Sequence, residues 1–73
     1  MPAIRQVILH RAEEGGYWVE VPSLPGCFSQ GETKEEALEN IKEAITLHIE
    51  DIIAAGEEVP TDVAPISVET VTV

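Results

Sequence analysis

The sequence predicts an α+β fold, a three-stranded antiparallel sheet followed by one long helix and a C-terminal strand (β-β-β-α-β), and three features support it. Two segments rich in β-branched residues flank the glycine pair Gly15-Gly16, which is typical of a β-hairpin. A helix-capping sequence at Thr33 opens a stretch with apolar residues at helical spacing. From Ile66 onward, apolar and polar residues alternate as in a half-buried strand. We expect a single domain over residues 1–73.

The sheet is predicted from the first part of the chain. The first strand is expected over residues 4–11 and the second over residues 17–21, since both are rich in aliphatic or aromatic residues. Side chains alternate along a strand, and Val19 is expected to face the core. The pair Pro25-Gly26 suits the two central positions of a type II turn, so a short third strand is predicted directly after it, over residues 27–30.

A long helix is predicted to begin at Thr33 and to end at Gly56. The Thr33 hydroxyl can accept a hydrogen bond from the Glu36 backbone N–H, while the Glu36 side chain is expected to reach back to the Thr33 N–H. Gly56 offers the left-handed backbone that is favoured just past a helix end. Between these points the residues at helical spacing are Ala37, Leu38, Ile41, Ala44, Ile45, Ile49 and Ile52.

The C-terminal segment is predicted as a further strand. Ile66, Val68, Val71 and Val73 are candidates for its inward face, and the alternation slips near Thr70. Such a strand either adds to the edge of this sheet or crosses to another protomer.

Several features predict self-association. A chain this short buries only about 60% of the surface that its unfolded form exposes, so its core is small. Cys27 is the only cysteine, so no intramolecular disulfide can add stability. The second half of the helix carries a wider apolar arc than one small sheet needs to cover. We expect a homo-oligomer, a dimer or a tetramer, with an interface that includes Leu47, Ile49, Ile53, Val68 and Val71.

The charge of the chain limits its partners. There are 14 Asp and Glu against 4 Lys and Arg, and the formal net charge of −10 disfavours binding to nucleic acid or to an anionic membrane. The same charge attracts basic proteins. The N-terminus lacks the pattern of a signal peptide, and no segment approaches the roughly 20 apolar residues that cross a bilayer. We therefore expect a cytoplasmic protein.

Two segments together resemble a known family. They are YWVEVPSLPGC at residues 17–27 and GETKEEAL at residues 31–38, and their order and spacing are similar to those of the HicB-like antitoxins over nearly the whole chain. The resemblance implies a partial RNase H-like fold and a cytosolic antitoxin that covers the active surface of a small, basic, RNA-cleaving toxin of the HicA type. Many members also carry a C-terminal DNA-binding domain. Residues 1–73 contain no counterpart, so we expect a short, stand-alone form that makes no direct contact with nucleic acid.

Two hypotheses for the function follow. The first is an antitoxin-like protein-binding module that neutralises such a toxin. The second is a stand-alone oligomeric scaffold, or a regulatory protein for a small ligand, with no toxin partner. A strongly basic protein encoded by the adjacent reading frame would favour the first.

The candidate partner-binding residues fall into two groups. Glu35, Glu39 and Glu43 follow one another at i,i+4 spacing on the predicted helix, where like charges repel. They can either mimic phosphate for a basic partner or form an ordinary solvated face. Trp18 and Glu20 share the sheet face opposite the predicted core, so Trp18 either anchors a partner or packs against the C-terminal tail or a second protomer.

The sequence offers little for catalysis or metal binding. His10, His48 and Cys27 lie on different predicted elements without the clustered spacing of a zinc site. The two aspartates, Asp51 and Asp62, lie outside the predicted strands, so a carboxylate-metal centre is not expected. We predict no catalytic residues, no metal and no cofactor, and hence no enzyme.

Overall fold

The sheet and the helix follow the predicted order. The computed structural model describes residues 4–64 and 67–73. Its elements are strands β1 (Ile8–Arg11), β2 (Tyr17–Glu20) and β3 (Phe28–Gly31), followed by helix α1 (Lys34–Ala54). The strands form one antiparallel sheet in the order β1-β2-β3, which confirms the predicted α+β class with its sheet and long helix.

Tight turns join the three strands. Between β2 and β3, the Cys27 N–H donates to the Leu24 carbonyl at 3.0 Å, which closes a turn around Pro25 and Gly26. Gly26 has φ of 85°, as the third position of a type II turn requires. The predicted turn is confirmed.

All three strands differ from their predicted bounds, and the second ends at Glu20 rather than at residue 21. The first begins at Ile8 rather than at residue 4, because its partner strand ends at Glu20, directly opposite Ile8. After Glu20 the chain turns away, since the Val21 N–H donates to the Cys27 carbonyl instead. The third strand runs one residue later than predicted, over Phe28–Gly31.

Both ends of α1 carry the expected caps. The Glu36 N–H donates to the Thr33 hydroxyl at 3.1 Å, and Thr33 is extended. The Glu36 carboxylate accepts from the Glu32 N–H rather than from Thr33, so that half of the predicted capping box lies one residue upstream. Gly56 has φ of 74°, its N–H donates to the Ile53 carbonyl, and the Glu57 N–H donates to the Ile52 carbonyl, which together form a Schellman motif.

The core lies between α1 and one face of the sheet. Val19, Leu24 and Ala37 are fully buried, and Ile41 is 2% exposed. At the closest approach, a Cβ built on Gly31 would lie 2.5 Å from the Ala37 backbone nitrogen. Only glycine therefore fits at this position. Helix α1 packs on one of the two faces of the sheet.

The predicted C-terminal strand is not formed by the described residues 67–73, and Ile66 lies outside the described residues. Val68 is 93% exposed and Val71 is 76% exposed, so neither contributes to an inward face within the chain. The prediction is wrong for the single chain, since residues 67–73 pair with none of β1, β2 and β3 and an unpaired strand is not stable in water. No helix in the described residues is long and apolar enough to cross a membrane.

Candidate functional site

One face of the sheet is left uncovered by the described residues. The strand register places Ile8, His10, Trp18, Glu20, Phe28 and Gln30 together, opposite the face that packs on α1. We call these six residues the outer sheet face. Trp18 is 37% exposed and Phe28 is 68% exposed, which is unusual for aromatic side chains in so small a protein. The prediction that Trp18 and Glu20 share the face opposite Val19 is confirmed.

Two cross-strand contacts hold the middle of this face. His10 lies directly opposite Trp18, and their rings stack with centroids 3.9 Å apart. The imidazole of His10 also makes a polar contact, since its Nε2 lies 2.8 Å from Glu20 Oε2. Trp18 is therefore held in one orientation before any partner arrives.

The sequence reasoning did not assign His10 and Phe28 to this site. Both follow from the register of the strands, since His10 pairs with Trp18 and Phe28 pairs with Glu20. Once the length of the β1–β2 loop is known, the cross-strand pairing places His10 directly opposite Trp18.

The second candidate group lies on α1. Glu35, Glu39 and Glu43 are exposed on the side of the helix that faces away from the buried residues Ala37 and Ile41. We call these three glutamates the acidic row. Lys42 Nζ lies 3.5 Å from Glu39 Oε2, but both side chains are about three-quarters exposed, so this pair contributes little to stability.

The two predicted groups lie on opposite sides of the molecule. The acidic row lies on the outward side of α1, whereas Trp18 and Glu20 lie on the outer sheet face, with the core between them. The structure therefore does not bring the five predicted partner-binding residues into one surface. A partner of ordinary shape contacts one group or the other.

The predicted oligomer-interface residues on α1 differ in their exposure to solvent. Leu47 is 60% exposed and Ile53 is 61% exposed, while Ile49 packs against the chain's own core. Leu47 lies next to the acidic row, where it lines an open groove of about 400 Å³ with Glu39, Lys42, Glu43 and Thr46. An apolar side chain beside carboxylates suits a mixed protein contact.

The described residues contain no cluster of three or more His, Cys, Asp or Glu side chains that could hold a metal ion. Cys27 is buried, and burial raises the pKa of its thiol, which disfavours the reactive thiolate.

Comparison with known proteins gives one family. The family described as "HicB_like antitoxin of bacterial toxin-antitoxin system" matches residues 6–72. A UPF0150 protein of Thermoplasma acidophilum is 55% identical over 56 residues, which cover 77% of this chain and 81% of that protein. A UPF0150 protein of Synechocystis is 48% identical over 65 residues, covering 85% and 82%.

Two further matches are antitoxins by name. Antitoxin HicB 1 of Photorhabdus laumondii is 41% identical over 54 residues, which are 74% of this chain but only 35% of that protein. Among solved structures, the N-terminal domain of the Burkholderia pseudomallei antitoxin HicB superposes with a TM-score of 0.71 at 37% identity. That match covers 81% of this chain and 69% of the other.

Proposed function

Because the chain belongs to the HicB-like antitoxins of bacterial toxin-antitoxin systems, we propose that it neutralises a basic, RNA-cleaving toxin of the HicA type by covering the toxin's active surface. We expect the chain to bind the toxin in the cytoplasm, where such a toxin would cleave RNA. The chain itself needs no catalytic group for this role, because occupying the toxin is sufficient.

The observation that carries the proposal is the acidic row on α1. Glu35, Glu39 and Glu43 are exposed, and of the described cations only Lys42 forms an ion pair with one of them. Like charges at i,i+4 spacing cost a helix a few tenths of a kcal/mol per pair. A row that is unfavourable in the free chain becomes favourable once a basic partner supplies the counter-charges.

The chemistry of an RNA-cleaving partner fits this row. A protein that holds phosphates does so with Lys and Arg side chains, and carboxylates can form charge-assisted hydrogen bonds with the same groups. The carboxylates are carried by a helix of 21 residues that is capped at both ends, so their spacing is fixed before binding. The net charge of −10 adds long-range attraction and raises the rate of encounter.

The outer sheet face is the weaker candidate for the toxin contact. Its one carboxylate, Glu20, is already engaged by His10 at 2.8 Å. Trp18 and Phe28 offer apolar area there rather than negative charge. We therefore assign the toxin contact to the acidic row, with Leu47 at its border.

The test compares two variants of equal net charge. Glu39→Lys with Glu43→Lys reverses the acidic row, while Glu13→Lys with Glu14→Lys reverses two exposed carboxylates on the β1–β2 loop. Affinity is measured by titration calorimetry at two salt concentrations, with a basic protein that co-purifies with this chain from its native cell as the partner. We expect the first variant to bind at least about tenfold more weakly, with a smaller salt dependence, and the loop variant to bind within about threefold of the original chain.

Equal weakening by both variants would mean that net charge, and not the acidic row, governs binding. Unchanged binding by the first variant would remove the acidic row from the interface. A chain from which no basic protein co-purifies in its native cell would favour the alternative of a stand-alone scaffold.

A further inference from the structure

The segment of residues 67–73, which we call the C-terminal arm, has the sequence of a strand but no partner in the chain. Val68 is 93% exposed, Val71 is 76% exposed and Val73 is fully exposed, and no strand is formed there. Branched residues that alternate with polar ones fit a half-buried strand, and an isolated strand has no stability in water. The arm therefore fits a sheet edge that its own chain does not provide.

The two edges of the sheet are not equivalent. At the β3 edge, Asn40 Nδ2 donates to the Gln30 carbonyl at 2.8 Å, and α1 lies against Gly31. Within the described residues, no hydrogen bond reaches the outer side of β1 (Ile8–Arg11), whose strand partner lies on one side only. An edge of this kind is open to an added strand.

Charge also favours the β1 edge. Strand β1 (Ile8–Arg11) carries Arg11 and no Asp or Glu, whereas the whole chain has a net charge of −10. Just before the strand, Arg5 already donates to Ser23 Oγ and the Pro60 carbonyl, and Asp62 accepts from the Gln6 N–H. The arm carries one charged side chain, Glu69. Arg11 is exposed, and among the described residues it forms no ion pair. The arm can therefore approach β1 with attraction, while most other surfaces of this acidic chain would repel it.

The arm is not paired as a strand within its own chain. The residues before it lie beside the start of β1, where Arg5 Nη2 donates to the Pro60 carbonyl and the Gln6 N–H donates to Asp62 Oδ2. Beyond them, the valines of residues 67–73 are exposed and no strand is formed. The edge of Ile8–Arg11 therefore stays open to an arm from a second copy.

We propose that the C-terminal arm adds as a strand to the β1 edge of a second copy of this chain, and that the exchange is reciprocal. Each copy then lends an arm and receives one, which closes a two-fold dimer. The exchange buries valines that water otherwise surrounds and extends each sheet beyond β1. It uses neither the acidic row nor any residue of α1, so it is independent of the proposed toxin contact.

The first test measures the mass of the full chain by analytical ultracentrifugation without any toxin. Val71→Pro removes a backbone donor from the arm, while the matched control Val71→Thr keeps both the donor and the branched shape. We expect the original chain to be a dimer at low micromolar concentration, the proline variant to dissociate at least tenfold more readily, and the threonine variant to change by less than about threefold. The helical circular dichroism of both variants is the check on folding, because the arm is exposed in the single chain.

The second test identifies the copy to which the arm binds. Isotopically labelled and unlabelled chains are mixed, and nuclear Overhauser effects are recorded only between the two kinds of chain. We expect contacts between residues 67–73 of one copy and Ile8–Arg11 of the other. A monomeric mass at 100-fold higher concentration than the expected range, equal dissociation of both variants, or contacts confined to one chain would overturn the proposal.

Discussion

The imidazole ring of His10 lies flat on the indole ring of Trp18, with the ring centroids 3.9 Å apart and the planes inclined by 8°. The two residues are direct cross-strand neighbours in β1 and β2. The stack fixes both side chains on the side of the sheet that α1 does not cover. It also accounts for how Trp18 can remain 37% exposed and still be ordered.

The stack is expected to contribute more to stability than the neighbouring polar contact. His10→Ala should lower the free energy of unfolding by about 1 kcal/mol, because a stacked aromatic pair contributes roughly 0.5–1.5 kcal/mol beyond its buried area. Glu20→Gln should cost less than half of that, since the His10–Glu20 contact is about 40% exposed to solvent and therefore screened. Urea unfolding followed by Trp18 fluorescence measures both values. A larger loss for Glu20→Gln would mean that the polar contact, and not the stack, orders this face.

The same substitution at two glycines should have opposite outcomes. Gly31→Asn should disrupt packing, because a Cβ there would lie 2.5 Å from the Ala37 nitrogen in the rigid first turns of α1. Gly56→Asn should be nearly neutral, because nothing lies within 4 Å of a Cβ at Gly56 and asparagine tolerates its left-handed backbone. Thermal unfolding of the two variants makes the comparison. If both were equally stable, the close approach of α1 to β3 would be wrong.

Two isoleucines on α1 provide a matched pair for the core. Ile41 is 2% exposed and Ile53 is 61% exposed. Ile41→Ala should cost about 2–5 kcal/mol, which is close to the whole stability of so small a protein. Ile53→Ala should change the stability of the monomer by less than about 0.5 kcal/mol. Urea denaturation at a concentration where the chain is monomeric measures both, and equal costs would contradict the orientation of the helix.

Alkaline pH should destabilise the chain through Cys27. Burial raises the pKa of the Cys27 thiol in the folded state above its ordinary value in the unfolded chain. Below the ordinary pKa both states hold the proton and nothing is lost, whereas the unfolded state gives up its proton first as the pH rises, so stability falls from there towards the folded pKa. The control is Cys27→Ala, whose stability should be lower overall but should not show this fall. A Cys27 thiol that reacts with an aromatic disulfide reagent as fast as a free thiol would contradict its burial.

Local signals in the sequence were enough to place most of the fold. Thr33 and Gly56 are caps whose chemistry is contained within a few residues, and both bound the helix as predicted. The pair Pro25-Gly26 fixes its turn in the same way. Val19 could be assigned to the core because alternation along a strand is a local property.

The remaining features depend on how distant segments meet. The stack of His10 on Trp18 requires the register of the hairpin, which its loop sets. The need for glycine at Gly31 arises only once α1 lies on β3. The separation of the acidic row from Trp18 and Glu20 requires knowing which side of the sheet the helix covers. Alternation in the C-terminal arm showed that the segment suits a strand, but a pattern within one chain cannot name the edge that it pairs with.

The most direct test of the central claim is RNA cleavage by a basic protein that co-purifies with this chain from its native cell, measured while the chain is added in increasing amounts. We predict that the original chain stops cleavage near a one-to-one ratio of the two proteins, and that the variant with Glu39→Lys and Glu43→Lys leaves most of the cleavage in place at that ratio. Cleavage that continues undiminished in an excess of the original, folded chain would contradict the account.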